Sequence, residues 1–118
     1  MTRFAAELEL AHELADLADA CTLPAFERGP DSQTKADGTW VTETDRGVER
    51  AMRKRLGEAV PDHAVLGEED GLTGAAAAPR WVLDPIDGTT NFVQGNPIFA
   101  TLIGLQVDGR EVLGVVSA

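Results

Sequence analysis

Asp84 and Asp87 stand three residues apart in the stretch Trp81-Val82-Leu83-Asp84-Pro85-Ile86-Asp87, directly after an apolar run. A carboxylate buried without compensation is costly, so a chain that ends a buried strand this way needs a partner for the pair. A hard divalent cation is one such partner. Mg²⁺ takes oxygen ligands at ~2.0–2.1 Å and is usually held by few carboxylates together with water and substrate phosphate. Asp84 and Asp87 can each supply such an oxygen. Pro85 restrains the backbone between them, so the Ile86 carbonyl can point the same way. Taken alone, Asp-x-x-Asp-Gly reads equally well as an Asx-turn followed by a glycine turn.

Other acids share the pattern of lying where a strand ends or a helix begins. Glu68, Glu69 and Asp70 follow a short apolar strand, and Asp45 stands at a helix start. Singly, the first group reads as a solvated acidic loop and Asp45 as part of a helix cap. Gly88-Thr89-Thr90 adds a turn that can present bare backbone N–H groups to a phosphate, with the Thr89 hydroxyl placed to orient a water. Strand ends are where α/β folds build their sites, because loops converge there on a crevice. The three acidic clusters together with this turn point to a cation-assisted phosphate site more strongly than any one of them.

The elements that must position these residues are legible in the hydrophobic spacing. Phe4, Leu8, Ala11, Ala15, Ala18 and Leu10, Leu14, Leu17, Cys21 follow the alternating three- and four-residue steps of an amphipathic helix, which is expected to end near Leu23-Pro24. Residues 29–38 read as a loop or hairpin connection. Thr42-x-x-Asp45 has the form of a helix start, and Val48, Met52 and Leu56 supply the stripe of a second helix from about residue 43 to 58, with Arg and Lys gathered in its last turns. The segment 63–67 predicts a strand ending at the acids. Residues 71–79 read as an exposed small-residue loop. Arg80 to Asp84 is a strand, and two more follow, joined at Asp108-Gly109. Those last two are apolar almost throughout and are expected to be buried on both faces.

With 20 acidic against 10 basic residues and a net charge of −10, nucleic acid is a poor partner. The same charge suits an anionic substrate only if cations intervene. Cys21 is the one cysteine, which excludes an internal disulfide and fits a reducing cytoplasm. It reads as a small apolar helix residue, and His12, among acids, as a solvated one. The acidic N-terminal segment is neither a signal peptide nor a membrane span.

Assembled in this order, Val41-Thr42-Glu43-Thr44-Asp45, Leu66-Gly67-Glu68-Glu69-Asp70 and Trp81 to Phe92 resemble three motifs of the inositol monophosphatase family of Mg²⁺-dependent, lithium-sensitive phosphomonoesterases. Residues 34–46 and Phe99 to Leu105 look most like its histidinol-phosphatase branch, while Asp87-Gly88-Thr89-Thr90-Asn91-Phe92 has the form usual in inositol monophosphatases. The resemblance implies an α/β fold, the N-terminal half of an αβαβα sandwich with a mixed, largely antiparallel sheet. Residues 1–118 would be the N-terminal portion of a phosphatase domain, because the family's downstream Trp-Asp-x-Ala-Ala segment is absent.

The resemblance further implies that Glu68, Asp84, the Ile86 carbonyl and Asp87 bind two or more Mg²⁺ ions, with inhibition by Li⁺. Asp87, Gly88 and Thr89 would receive the phosphate. Thr89, hydrogen-bonded to Asp45, would help position and deprotonate the attacking water near Glu68, with Glu69 and Lys35 in support. The implied substrate is a small phosphorylated metabolite, L-histidinol phosphate before inositol 1-phosphate, and a homodimer is a possible assembly. A reading from another class is a non-catalytic metal- or phosphate-binding half-domain.

Overall fold

Apolar residues at helical spacing build the first layer. The computed structural model of the protein describes residues 4–28, 32–34, 40–88 and 99–117. Helix α1 spans Ala5–Arg28 and α2 spans Glu43–Ala59. Leu10, Ala11, Leu14, Ala15 and Ala18 of α1 meet Val48, Met52 and Leu56 of α2 in one buried cluster. Between the helices, β1 (Ser32–Thr34) pairs antiparallel with β2 (Trp40–Thr42), the hairpin form of the loop or hairpin connection expected there.

Beyond α2 come β3 (Ala64–Gly67), β4 (Gly71–Thr73), β5 (Arg80–Asp87), β6 (Ala100–Val107) and β7 (Arg110–Ser117). They form a sheet in the order β4-β3-β5-β6-β7. β3 and β5 run parallel, and the other three pairings are antiparallel, so the sheet is mixed. Both helices lie on one face, α1 over β6 and β7 and α2 over β5. Because side chains alternate across a strand, register tells which residues meet them. Val65 pairs with Trp81, Trp81 with Leu105 and Leu83 with Ile103, and all five belong to the helix-facing core. Trp81 is fully buried, and its indole Nε1 donates to His63 Nδ1 at 3.1 Å.

Several elements depart from the sequence expectation. Helix α1 runs through Pro24 to Arg28 rather than stopping before it. Proline forfeits one helical hydrogen bond, but the turns around it bury Thr22 and Ala25 and bring Phe26 against Phe99 (ring centroids 5.1 Å apart). Ala25 also packs with Ile86, so the last turn of α1 rests on the strand that carries the central acids. Cys21 and Leu8 are exposed, not part of the buried stripe. The basic residues of α2 stop short of its last turn and make ion pairs instead, Arg53 with Glu49 and Arg55 with Glu13 of α1.

Residues 71–73, expected in a loop, form the edge strand β4 after the turn at Gly71, whose φ of 71° suits glycine. Strand β7 is not buried on both faces. Leu113 and Val115 pack on the core, while Val116 is 68% exposed and Leu72 of the opposite edge 49%. The helices cover one face only, which an apolar strand cannot reveal by itself. Ser117 Oγ donates to the Asp19 carboxylate at 2.8–2.9 Å, tying β7 to α1. Among the described residues, no helix is long and apolar enough to cross a membrane.

Candidate metal and phosphate site

Strand β5 does not end before its acids. It continues to Asp87, and its pairing with β6 slips between Asp84, opposite Leu102, and Asp87, opposite Ala100. Pro85 and Ile86 therefore face the single residue Thr101, a β-bulge. In a regular strand, residues three apart point to opposite faces. The extra residue restores parity, and Asp84 and Asp87 take positions on the same face as Leu102 and Ala100, away from the helices. That is the reason for the three-residue spacing. Proline suits the bulge because it has no N–H for the ladder to miss, and Thr101 Oγ1 donates to the Pro85 carbonyl at 2.7 Å. Ile86 buries its side chain toward α1.

Glu68 reaches the site through the parallel pairing of β3 with β5. Gly67 stands opposite Leu83, so one residue further on Glu68, just past the end of β3, comes beside Asp84 within β5. Asp45, in the first turn of α2, is 2% exposed and adds its charge from the helix layer.

Asp84 bears the consequence of this crowding. Burial, a hydrogen bond shared with the Glu68 carboxyl and the charges of Glu68, Asp87 and Asp45 push its pKa from 3.8 up to about 7. Among the described residues, its Oδ1 is buried without a hydrogen-bond partner. A carboxylate so placed lacks positive charge, and a hard divalent cation supplies it with the matching ligand chemistry. Among the described residues, no three Asp, Glu, His or Cys side chains already enclose one point. The donor set nevertheless fits such an ion, in ligand type and in the unsatisfied buried oxygen of Asp84.

Gly88 follows with φ 85°, a left-handed conformation that glycine adopts freely. Thr89 and Lys35 lie outside the described residues. Glu69, half-buried, sits in the turn beside Glu68.

Sequence reasoning missed Glu49, Gly67 and Thr101. Glu49 is a fully buried carboxylate that accepts the backbone N–H groups of Glu69 (2.9 Å) and Asp70 (2.8 Å) and pairs with Arg53 Nε at 3.1 Å. Gly67 leaves room for that carboxylate, since a Cβ there would overlap it. The signal was present: the stripe Val48, Met52, Leu56 extended backward at helical spacing reaches Asp45 and Glu49, two acids on a face that must be buried.

The site is thus an acidic, oxygen-lined cluster built on a bulged Asp-Pro-Ile-Asp of a mixed sheet. Residues 5–118 match the model of the inositol monophosphatase family, and the chain belongs to that family. Histidinol-phosphatases from Streptomyces coelicolor and Mycobacterium tuberculosis are 46% and 47% identical to it, each match taking in 95% of this chain and 44% of the relative. An inositol-1-monophosphatase from Rhizobium meliloti is 42% identical over 83 residues, 70% of this chain and 31% of that protein. The fold matches the crystal structure of the extragenic suppressor protein suhB from Bartonella henselae with a TM-score of 0.88 at 30% identity, over 95% of this chain and 45% of that one. The chain thus spans less than half the length of these relatives.

Proposed function

We propose that the chain is the N-terminal portion of a Mg²⁺-dependent phosphomonoesterase acting on a small phosphorylated metabolite, L-histidinol phosphate in the first instance. The observation that carries this reading is the buried, unpartnered Oδ1 of Asp84, set beside Glu68 and on the same sheet face as Asp87. Glu68, Asp84, Asp87 and the Ile86 carbonyl are the groups that would hold the metal. When bound, divalent cations lower the pKa of a coordinated water and neutralise charge on the reacting phosphoryl group.

The chain's own residues then divide the remaining work. Asp84, within β5, and Glu68, just after β3, would orient the attacking water. Asp87, one bulge further along β5, faces the phosphate. Gly88, in its left-handed conformation, gives the chain a turn directly after Asp87, and it and Thr89 would receive the phosphate. The Thr89 hydroxyl would accept a proton from the water while passing its own to the Asp45 carboxylate, with Glu69 and Lys35 assisting. Inhibition by Li⁺, a cytoplasmic setting and homodimer assembly belong to the same proposal.

Histidinol phosphate leads because two histidinol-phosphatases are 46% and 47% identical across 95% of the chain, against 42% identity over 70% of it for the inositol-1-monophosphatase. Phosphate release by the complete gene product from L-histidinol phosphate and from myo-inositol 1-phosphate, with and without Mg²⁺, tests it. Mg²⁺-dependent preference for histidinol phosphate supports the reading, and preference for the inositol ester changes the substrate but keeps the site. Release from neither, with Mg²⁺ still bound, favours a non-catalytic metal- or phosphate-binding half-domain.

A further inference from the structure

We propose that Glu49 is a positioning residue for the metal centre: its buried carboxylate clamps the turn that carries Glu68 and thereby fixes Glu68 against Asp84. This rests on the metal-dependent reading above.

Glu68 stands in a turn between β3 and the short edge strand β4, and its own side chain is exposed. A two-strand edge of this size has little intrinsic rigidity. What holds the turn is a carboxylate from the helix layer. Glu49 Oε1 accepts Glu69 N–H at 2.9 Å and Oε2 accepts Asp70 N–H at 2.8 Å, so each oxygen takes one of two successive amides directly after Glu68. Such charge-assisted bonds in a dry setting are among the stronger ones available. The charge is balanced by Arg53, whose Nε reaches Oε2 at 3.1 Å while its other nitrogens reach the Thr73 hydroxyl (3.2 Å) and the Gly71 carbonyl. Glu49 and Arg53 together bind both ends of the β3–β4 connection to α2.

Two features separate this arrangement from an ordinary buried ion pair. Glu49 is fully buried, yet half of its hydrogen-bonding capacity is spent on the backbone of the acidic turn rather than on a side chain. Gly67, the residue immediately before Glu68, has no side chain where the carboxylate lies. Sequence position and space are both given over to contact between Glu49 and this one turn. One helical turn earlier, Asp45 projects from the same stripe toward the acidic cluster itself, so α2 presents two buried acids: one to the ligands and one to their support.

The test uses the complete gene product and Mn²⁺ alone as probe, read by its electron paramagnetic resonance signal without substrate, together with amide hydrogen exchange. Glu49→Gln puts an N–H₂ group against a backbone N–H and breaks one of the two clamps. It should weaken Mn²⁺ binding by roughly 10–100-fold, the usual scale for support behind a ligand. Exchange at Glu69 and Asp70 should accelerate in the same variant. Gly67→Ala, which displaces the intact carboxylate, should produce the same two changes, and the double variant should be far from additive. Leu56→Ala, a core truncation about two helical turns beyond Glu49 on the same helix, should lower the melting temperature while leaving Mn²⁺ affinity within about two-fold, because it removes buried apolar volume at a distance from the clamp. Unchanged Mn²⁺ affinity in folded Glu49→Gln or Gly67→Ala overturns the role of Glu49 alone. A wild-type protein that binds no Mn²⁺ overturns the metal reading, and the role of Glu49 falls with it.

Discussion

Replacing Asp84 with asparagine should make the metal-free protein more stable at mildly alkaline pH and remove most of its stabilisation by Mg²⁺. Asp84 is pushed up from 3.8 to about 7, first by burial and then by Glu68, Asp87 and Asp45. The folded state therefore holds the proton more tightly than the unfolded chain does. Below 3.8 both states are protonated and the full benefit is present; it is lost as pH rises, and above about 7 the folded protein carries the whole cost of the charge. At ~1.4 kcal/mol per pH unit, the interval sets a ceiling of roughly 4 kcal/mol, and partial exposure reduces the expected difference to about 1–2 kcal/mol. Asparagine stays neutral throughout. Urea unfolding in EDTA, followed by tryptophan fluorescence to which fully buried Trp81 contributes, should show the variant equal to wild type near pH ~4 and more stable by that amount at pH ~8. Saturating Mg²⁺ should reverse the order, since wild type gains ~2.7 kcal/mol at a hundredfold excess over Kd and the variant loses a charged ligand. A variant less stable than wild type at pH ~8 in EDTA, or one stabilised by Mg²⁺ as strongly as wild type, refutes the reasoning.

Asp87→Asn, at the distal end of the bulge, should abolish Mg²⁺-dependent phosphate release in the complete protein while leaving its circular dichroism spectrum unchanged; wild-type turnover would end the assignment of Asp87 as a ligand. Thr101→Val removes the hydroxyl that satisfies the buried Pro85 carbonyl and should cost about 1–3 kcal/mol in denaturant unfolding. The same variant should also weaken Mg²⁺ binding, because the bulge sets the common face of Asp84 and Asp87; full affinity despite the lost stability would show that the bulge holds without Thr101.

Much of this protein was legible locally. Helix α2, the strands from 64 to 67 and from 80, and the Asp108-Gly109 hairpin follow from apolar spacing and turn chemistry, which act over a few residues and need no distant partner. The acidic clusters could be named for the same reason, since ligand type and spacing are written in the chain. Other features were settled by contacts between residues far apart in sequence. Pro24 stays inside α1 because Ala25 and Phe26 find Ile86 and Phe99. An apolar β7 lies half open because the helices cover one face of the sheet. Asp-Pro-Ile-Asp was read as two ligands following a strand; pairing with β6 makes it a bulge within the strand and brings both acids to one face. Glu49, which in isolation is an ordinary i, i+4 partner of Arg53, becomes a buried clamp only when β3 delivers Gly67 and the amides of Glu69 and Asp70 to it. Residue types and their local order determined which groups could do the chemistry; sheet register and helix packing decided which of them meet, because burial and parity are properties of paired elements and not of any one segment.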